Sequence, residues 1–192
     1  MTDEIDVVDC TRCAELCASR SRIVNGVGPT DAALLFVGEA PGRQEDETGE
    51  PFVGRSGDVL DEALRDRGLA RLDVRITNCV RCRPPDNRDP RAEELENCRS
   101  HLEREIDAVD PDVIVTLGKV PSEHLLGRSV AVTAEAGSIH DVRIAGTPRR
   151  TLVCVHPAAT LYDPSQRETF AAALDAAVEF VDGGDQSQLG DF

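Results

Sequence analysis

The chain has 192 residues, 40% of them hydrophobic, which is enough to build one globular domain. No run of about 18 apolar residues is present, which excludes a membrane-spanning helix, and the acidic start MTDEIDVVDC excludes a secretory signal. The formal net charge of −15, with Lys119 as the only lysine, is the composition of a protein adapted to molar salt, with acidic residues spread along the whole chain.

The elements follow in order. Cys10 to Arg20 reads as a short helix carrying Cys10-x2-Cys13. Without a secretory signal the expected compartment is the cytoplasm, where seven cysteines are more often metal-bound or free than paired. Two quartets are available for an all-cysteine site. One is Cys10, Cys13, Cys82 and Cys98; the other is Cys10, Cys13, Cys79 and Cys82, a zinc-ribbon-like double CxxC. Spacing alone leaves zinc and iron–sulfur open, and leaves Cys79 and Cys98 competing for the fourth place.

Ala32 to Val37 is a continuous apolar run that predicts a buried strand ending at Gly38. The loop after it, Gly38-Glu39-Ala40-Pro41-Gly42, is neither a P-loop nor a dinucleotide fingerprint. Phe52 follows in Pro51-Phe52-Val53-Gly54, an aromatic beside a glycine turn that can stack on a planar ligand. A helix is predicted over Asp58 to Arg67, stopped at Gly68, and a second strand over Val74 to Val80. In that strand Asn78 shares a face with Ile76 and Val80, while Thr77, Cys79 and Arg81 share the other.

The segment from Arg75 to Arg91 holds five arginines against two aspartates, a basic island that marks a candidate phosphate-contact surface. Asp89-Pro90 reads as the start of a helix to about Val109. Val113 to Leu117 is a third buried strand, with a short helix over Val120 to Leu126. Val130 to Thr133 and Val142 to Ile144 are expected to form a short antiparallel pair. Leu152 to Val155 is the last buried strand, ending at His156-Pro157, and a helix from about Gln166 to Val181 closes the domain.

Alternating apolar strands and amphipathic helices predict a three-layer α/β/α sandwich around a mainly parallel four-stranded sheet. Ligands of such sheets bind at the carboxyl ends of the strands, so Gly38-Glu39, Asn78 and His156 are expected to converge on one crevice. The domain is expected over residues 1–182, with a disordered tail over 183–192.

GEAPG…ED, PFVGRSG, TNCVRCRPPDNRDP and HPAATL, in this order and together with the cysteines, resemble the family 4 uracil-DNA glycosylases. These are the iron–sulfur type of archaea and thermophilic bacteria, and the acidic composition adds a haloarchaeal origin. The resemblance covers nearly the whole chain. It implies a 4Fe-4S cluster on Cys10, Cys13, Cys82 and Cys98, leaving Cys17, Cys79 and Cys154 to packing. It implies that Glu39, Ala40 and Pro41 contact the flipped uracil and its sugar, and that Phe52 stacks on the base. Asn78 is implied to read the uracil edge, and His156 to donate to O2. Glu45 lies in the same loop as Glu39. Ala40 stands where the best-known glycosylases of the superfold carry a water-activating aspartate, so catalysis is expected to lean on leaving-group stabilisation.

The implied function is a monofunctional N-glycosylase that flips uracil out of DNA and leaves an abasic site; the alternative is a non-enzymatic, metal- or cluster-bearing nucleic-acid-binding module. Tyr162 departs from the family, some of whose members carry arginine after the HPxxL segment. Because salt weakens phosphate binding, shape, stacking and the Arg75–Arg91 island are expected to carry the DNA contact. Finally, Gln186-x-x-Leu189-x-x-Phe192 resembles a sliding-clamp-binding motif. The protein is expected to be monomeric.

Overall fold

A five-stranded sheet in the order β2-β1-β3-β5-β4 forms the centre of the computed structural model, which describes residues 5–187. The strands are β1 (Leu34–Gly38), β2 (Arg75–Asn78), β3 (Val113–Leu117), β4 (Ile139–Ile144) and β5 (Thr147–Cys154). The helices are α1 (Ala14–Ser19), α2 (Arg43–Thr48), α3 (Arg55–Arg65), α4 (Ala92–Val109), α5 (Lys119–Leu126), α6 (Val132–Glu135), α7 (Ala159–Tyr162) and α8 (Gln166–Ser187). Four strands are parallel; β4 joins β5 antiparallel at one edge.

Every residue of β1 and β3 is buried, because helices cover both faces of the sheet. Strand alternation divides their side chains between two cores. Leu34 and Phe36 pack with Leu60 and Leu64 of α3 and with Phe170 and Leu174 of α8. Leu35 and Val37 pack on the opposite face with Leu102 and Ile106 of α4 and Leu125 of α5. Each such side chain contributes roughly 1.5–3 kcal/mol on burial. The three-layer expectation therefore holds.

The four-stranded sheet does not; the sheet has five strands. Ile139–Ile144 pairs with Thr147–Cys154, and the Val130–Thr133 stretch expected to pair with Val142–Ile144 instead runs into one turn of helix, Val132–Glu135. The hairpin turns at Ala145 and Gly146, both at positive φ (49° and 86°), the two-residue turn whose twist matches antiparallel strands. Ile144 is thereby placed opposite Thr147. Glu135 instead folds back to accept the Ala131 N–H (3.0 Å) and pairs with Arg128 at 2.5 Å.

Helix ends also shift. The α4 cap is Arg91, not Asp89; its N–H donates to the Glu94 carboxylate at 2.7 Å. α2 lies within a segment expected as a loop, and α7 follows His156-Pro157, where no element was expected. α8 runs to Ser187, past the expected end near Val181; the Gly183–Gly184 pair weakens a helix by about 1 kcal/mol per residue without blocking it. Leu189 and Phe192 of the clamp-like motif lie outside the described residues.

Candidate active site

A cleft of about 700 Å³ opens where β1, β2 and β5 end. Glu39, Ala40, Glu45, Phe52, Asn78 and His156 all line it, as the convergence of strand ends predicts; Pro41 is buried in the same loop. Asn78 lies opposite Gly38 in the parallel ladder. That glycine is a steric requirement: a Cβ there would sit 2.4 Å from Asn78 Oδ1 and 2.5 Å from the Phe52 ring. The pairing of the two strands continues into the loop. The Cys79 N–H donates to the Gly38 carbonyl (2.9 Å) and the Val80 N–H to that of Glu39 (3.0 Å).

Phe52 is buried, with its backbone in the left-handed region at φ 53°. Its ring centroid is 5.8 Å from that of His156, the planes inclined at 31°. The Ala158 N–H donates to His156 Nδ1 at 3.1 Å. That bond leaves Nδ1 unprotonated, so the neutral ring carries its proton on Nε2. Burial lowers the His156 pKa to about 4, which keeps the ring neutral at physiological pH. Gly118, at φ 105°, gives the imidazole its room, since a Cβ there would come within 3.2 Å of His156 Cβ.

Glu39 is affected in the opposite direction. Burial, reinforced by the Asp89 carboxylate nearby, raises its pKa to about 7. Burial also raises that of Glu45, opposed by its own and the Gly42 N–H at the start of α2. Neighbouring acids in one cleft are thus biased toward holding a proton.

Behind the cleft, Cys10, Cys13, Cys17, Cys82 and Cys98 line one small cavity with Leu16 and Val80. Arg20 Nη1 donates to Cys82 Sγ (2.9 Å), and Nη2 to the Cys10 carbonyl (2.7 Å). Asn97 Nδ2 donates to Cys13 Sγ at 3.5 Å. Cys79 is elsewhere, fully buried with Leu35, Val37, Leu102 and Ile106, and burial holds its thiol well above the ordinary range. Cys154 is buried in the opposite core. The double-CxxC quartet is therefore not brought together. Among the described residues no group of three or more His, Cys, Asp or Glu is gathered closely enough for a single metal ion.

The basic island is divided: Arg75 and Arg81 are buried, while Arg83, Arg88 and Arg91 stay at least partly exposed. Arg75 and Arg81 are each 2% exposed and both pair with the fully buried Glu105; Arg75 Nε lies 2.7 Å from it. Arg88 and Arg91 pair with Glu15 of α1, and Arg88 also with Glu94. These arginines brace the fold because the chain brings Glu15 of α1 and Glu105 of α4, distant in sequence, against them. Arg83 alone has no carboxylate partner among the described residues; its Nε donates to Asn87 Oδ1 at 2.7 Å.

Several residues of the site were not legible as such. Asn87 lines the cleft with a left-handed backbone (φ 53°), and Arg55 enters it from the start of α3. Tyr162, 79% exposed, stands at the rim. Asp46 is buried and accepts the Ser21 N–H at 2.8 and 3.0 Å, tying the cleft loop to the cysteine segment. Only the paired acids of the GEAPG…ED stretch hinted at it.

Residues 25–179 match the model of the uracil DNA glycosylase superfamily. A type-4 uracil-DNA glycosylase of Archaeoglobus fulgidus is 41% identical over 169 residues, covering 86% of this chain and 84% of that protein. One of Pyrobaculum aerophilum is 39% identical over 184 residues (94% and 92%), and one of Thermotoga maritima 45% over 133 residues (69% of each). With this fold, this cleft and these similarities, the chain belongs to the type-4 uracil-DNA glycosylases.

Proposed function

We propose that the protein removes uracil from DNA by hydrolysing the N-glycosidic bond, releasing the free base and leaving an abasic site. The observation that carries this is the His156 ring: neutral, with Nδ1 committed to the Ala158 N–H, it has one donor left for an anion in the cleft.

The base must leave the helical stack to be reached. Phe52 offers a face for it to stack on. Asn78 can accept from uracil N3–H and donate to O4, a pattern that cytosine cannot match. As the C1′–N1 bond breaks, its electron pair goes to the base, and charge gathers on O2. Hydrogen bonding from His156 Nε2–H stabilises that charge where it develops. A water oxygen then bonds to C1′. Glu39, part ionised near neutral pH, is suited to orient that water and take its proton. Arg55 and Arg83 supply phosphate contacts in place of the wider basic island.

The donor set fits an iron–sulfur cluster. Cys10, Cys13, Cys82 and Cys98 would hold it, with Arg20 and Asn97 donating to two of the sulfurs. Four cysteine thiolates are the ligand set of such a cluster. When bound, the cluster supplies a covalent brace between the N-terminal segment and α4.

The acidic, lysine-poor composition supports a haloarchaeal, cytoplasmic setting; no helix among the described residues is long and apolar enough to cross a membrane. We further infer a monomer whose Gln186-x-x-Leu189-x-x-Phe192 motif docks a sliding clamp, to be checked by clamp pull-down before and after deleting residues 186–192.

The test of activity is incubation in high salt with an oligonucleotide containing one uracil, followed by alkali. A break at uracil, with none at thymine or cytosine, is expected. An intact strand would overturn the enzyme assignment in favour of a non-catalytic binding module.

A further inference from the structure

Phe52 carries an aromatic side chain on a left-handed backbone, a state that costs a non-glycine residue on the order of 1–3 kcal/mol. Something must hold it there. Arg71, in a short 3-10 turn just before β2, reaches back to this segment. Its Nη2 donates to the Pro51 carbonyl at 2.6 Å and its Nη1 to the Phe52 carbonyl at 3.0 Å. Asp61 of α3 fixes the guanidinium from the other side, 2.8 Å from Nη1. Gly57 completes the clamp, because a Cβ there would lie 1.7 Å from the Phe52 carbonyl oxygen.

We propose that Arg71 is a positioning residue for base recognition, holding the Phe52 ring at the height where a flipped base stacks. Arg71 is not part of the cleft lining, so it acts through Phe52. The inference rests on the stacking role given to Phe52 above. Two carbonyls on adjacent residues need a planar fork of donors. Lysine keeps the charge but offers a single flexible ammonium. Displacing a contact group by about 1 Å can lower a rate by about 100-fold. Arg71→Lys is therefore expected to slow single-turnover excision by roughly 10- to 100-fold, and to weaken inhibition by free uracil to a similar degree.

A merely structural role predicts something else. Affinity for a duplex bearing a tetrahydrofuran abasic site, which has no base to stack, should then fall as well; on the positioning reading it stays within about two-fold. The decisive measurement is a double-mutant cycle, since residues that act through one another are not additive. In Phe52→Ala protein, Arg71→Lys should change the excision rate by less than about two-fold. Full additivity overturns the positioning role while leaving the stacking role standing. Wild-type excision by Phe52→Ala overturns the stacking role itself, and the inference with it. Gly57→Ala presses on the same carbonyl from the opposite side and should give the same non-additive pattern; if it is additive, the clamp is refuted even where the Arg71 variants fold poorly.

Discussion

His156 is worth most if it is neutral, and that can be read at pH 5. With a pKa of about 4, about nine-tenths of the ring is neutral there; at the ordinary value of about 6.5, only about 3% would be. The contrast is roughly 30-fold. Charging the ring also places an Nδ1–H against the Ala158 N–H now bonded to that atom, so protonation breaks the contact that orients it. Glu39 titrates in the same range and Glu45 is raised toward it, so the measurement belongs in Glu39→Gln protein that also carries Glu45→Gln. Its residual single-turnover rate on a uracil oligonucleotide should change by less than about two-fold between pH 7.5 and pH 5. Replacing His156 by alanine in the wild type should cost on the order of 10²–10³ in rate, the range of one lost oxyanion donor. A fall of about 30-fold at pH 5 in that doubly substituted protein, or a His156→Ala variant as fast as the parent, would refute a neutral donor.

Glu105→Ala should destabilise the protein by about 3–5 kcal/mol in urea unfolding, because Arg75 and Arg81 would be left charged and buried without a carboxylate partner; an unchanged midpoint contradicts this. Glu39 binds its proton more tightly folded than unfolded, since its pKa rises from 4.5 to about 7. Its contribution to stability is thus present below pH 4.5 and is lost as pH rises through 7. The stability of Glu39→Gln relative to the wild type should accordingly grow across that window and then level off, and a flat difference would show that Glu39 titrates normally. Cys98→Ser should lower the iron content of the purified protein, whereas Cys79→Ala should keep it, since Cys79 packs against Leu35 and Leu102; the reverse order would restore the zinc-ribbon quartet.

Much of this was legible because strand ends announce themselves. Apolar runs such as Val113–Leu117 allow little but a buried strand, and the polar residue after each run falls at the sheet's carboxyl edge. Glu39, Asn78 and His156 came together for that reason. The edge hairpin was missed because Ala145-Gly146 lacks the usual asparagine or aspartate, while Val130 and Val132 imitate a strand. Arginine roles were misjudged for a deeper reason. Charge counts along the chain do not say which carboxylate a side chain meets, and Arg75 finds Glu105 thirty residues away. Arg71 was invisible likewise: its partners are carbonyls, which every residue has.

Asn78 and Cys82 lie on one short stretch of chain leaving β2, the first lining the cleft and the second lining the cysteine cavity. A single residue inserted between them would lengthen the stretch by up to about 3.3 Å and carry one or the other out of place. The length of this stretch is therefore as constrained as its composition. Variation of the enzyme by insertion or deletion is better tolerated at the β4–β5 hairpin, whose exposed turn touches neither cavity.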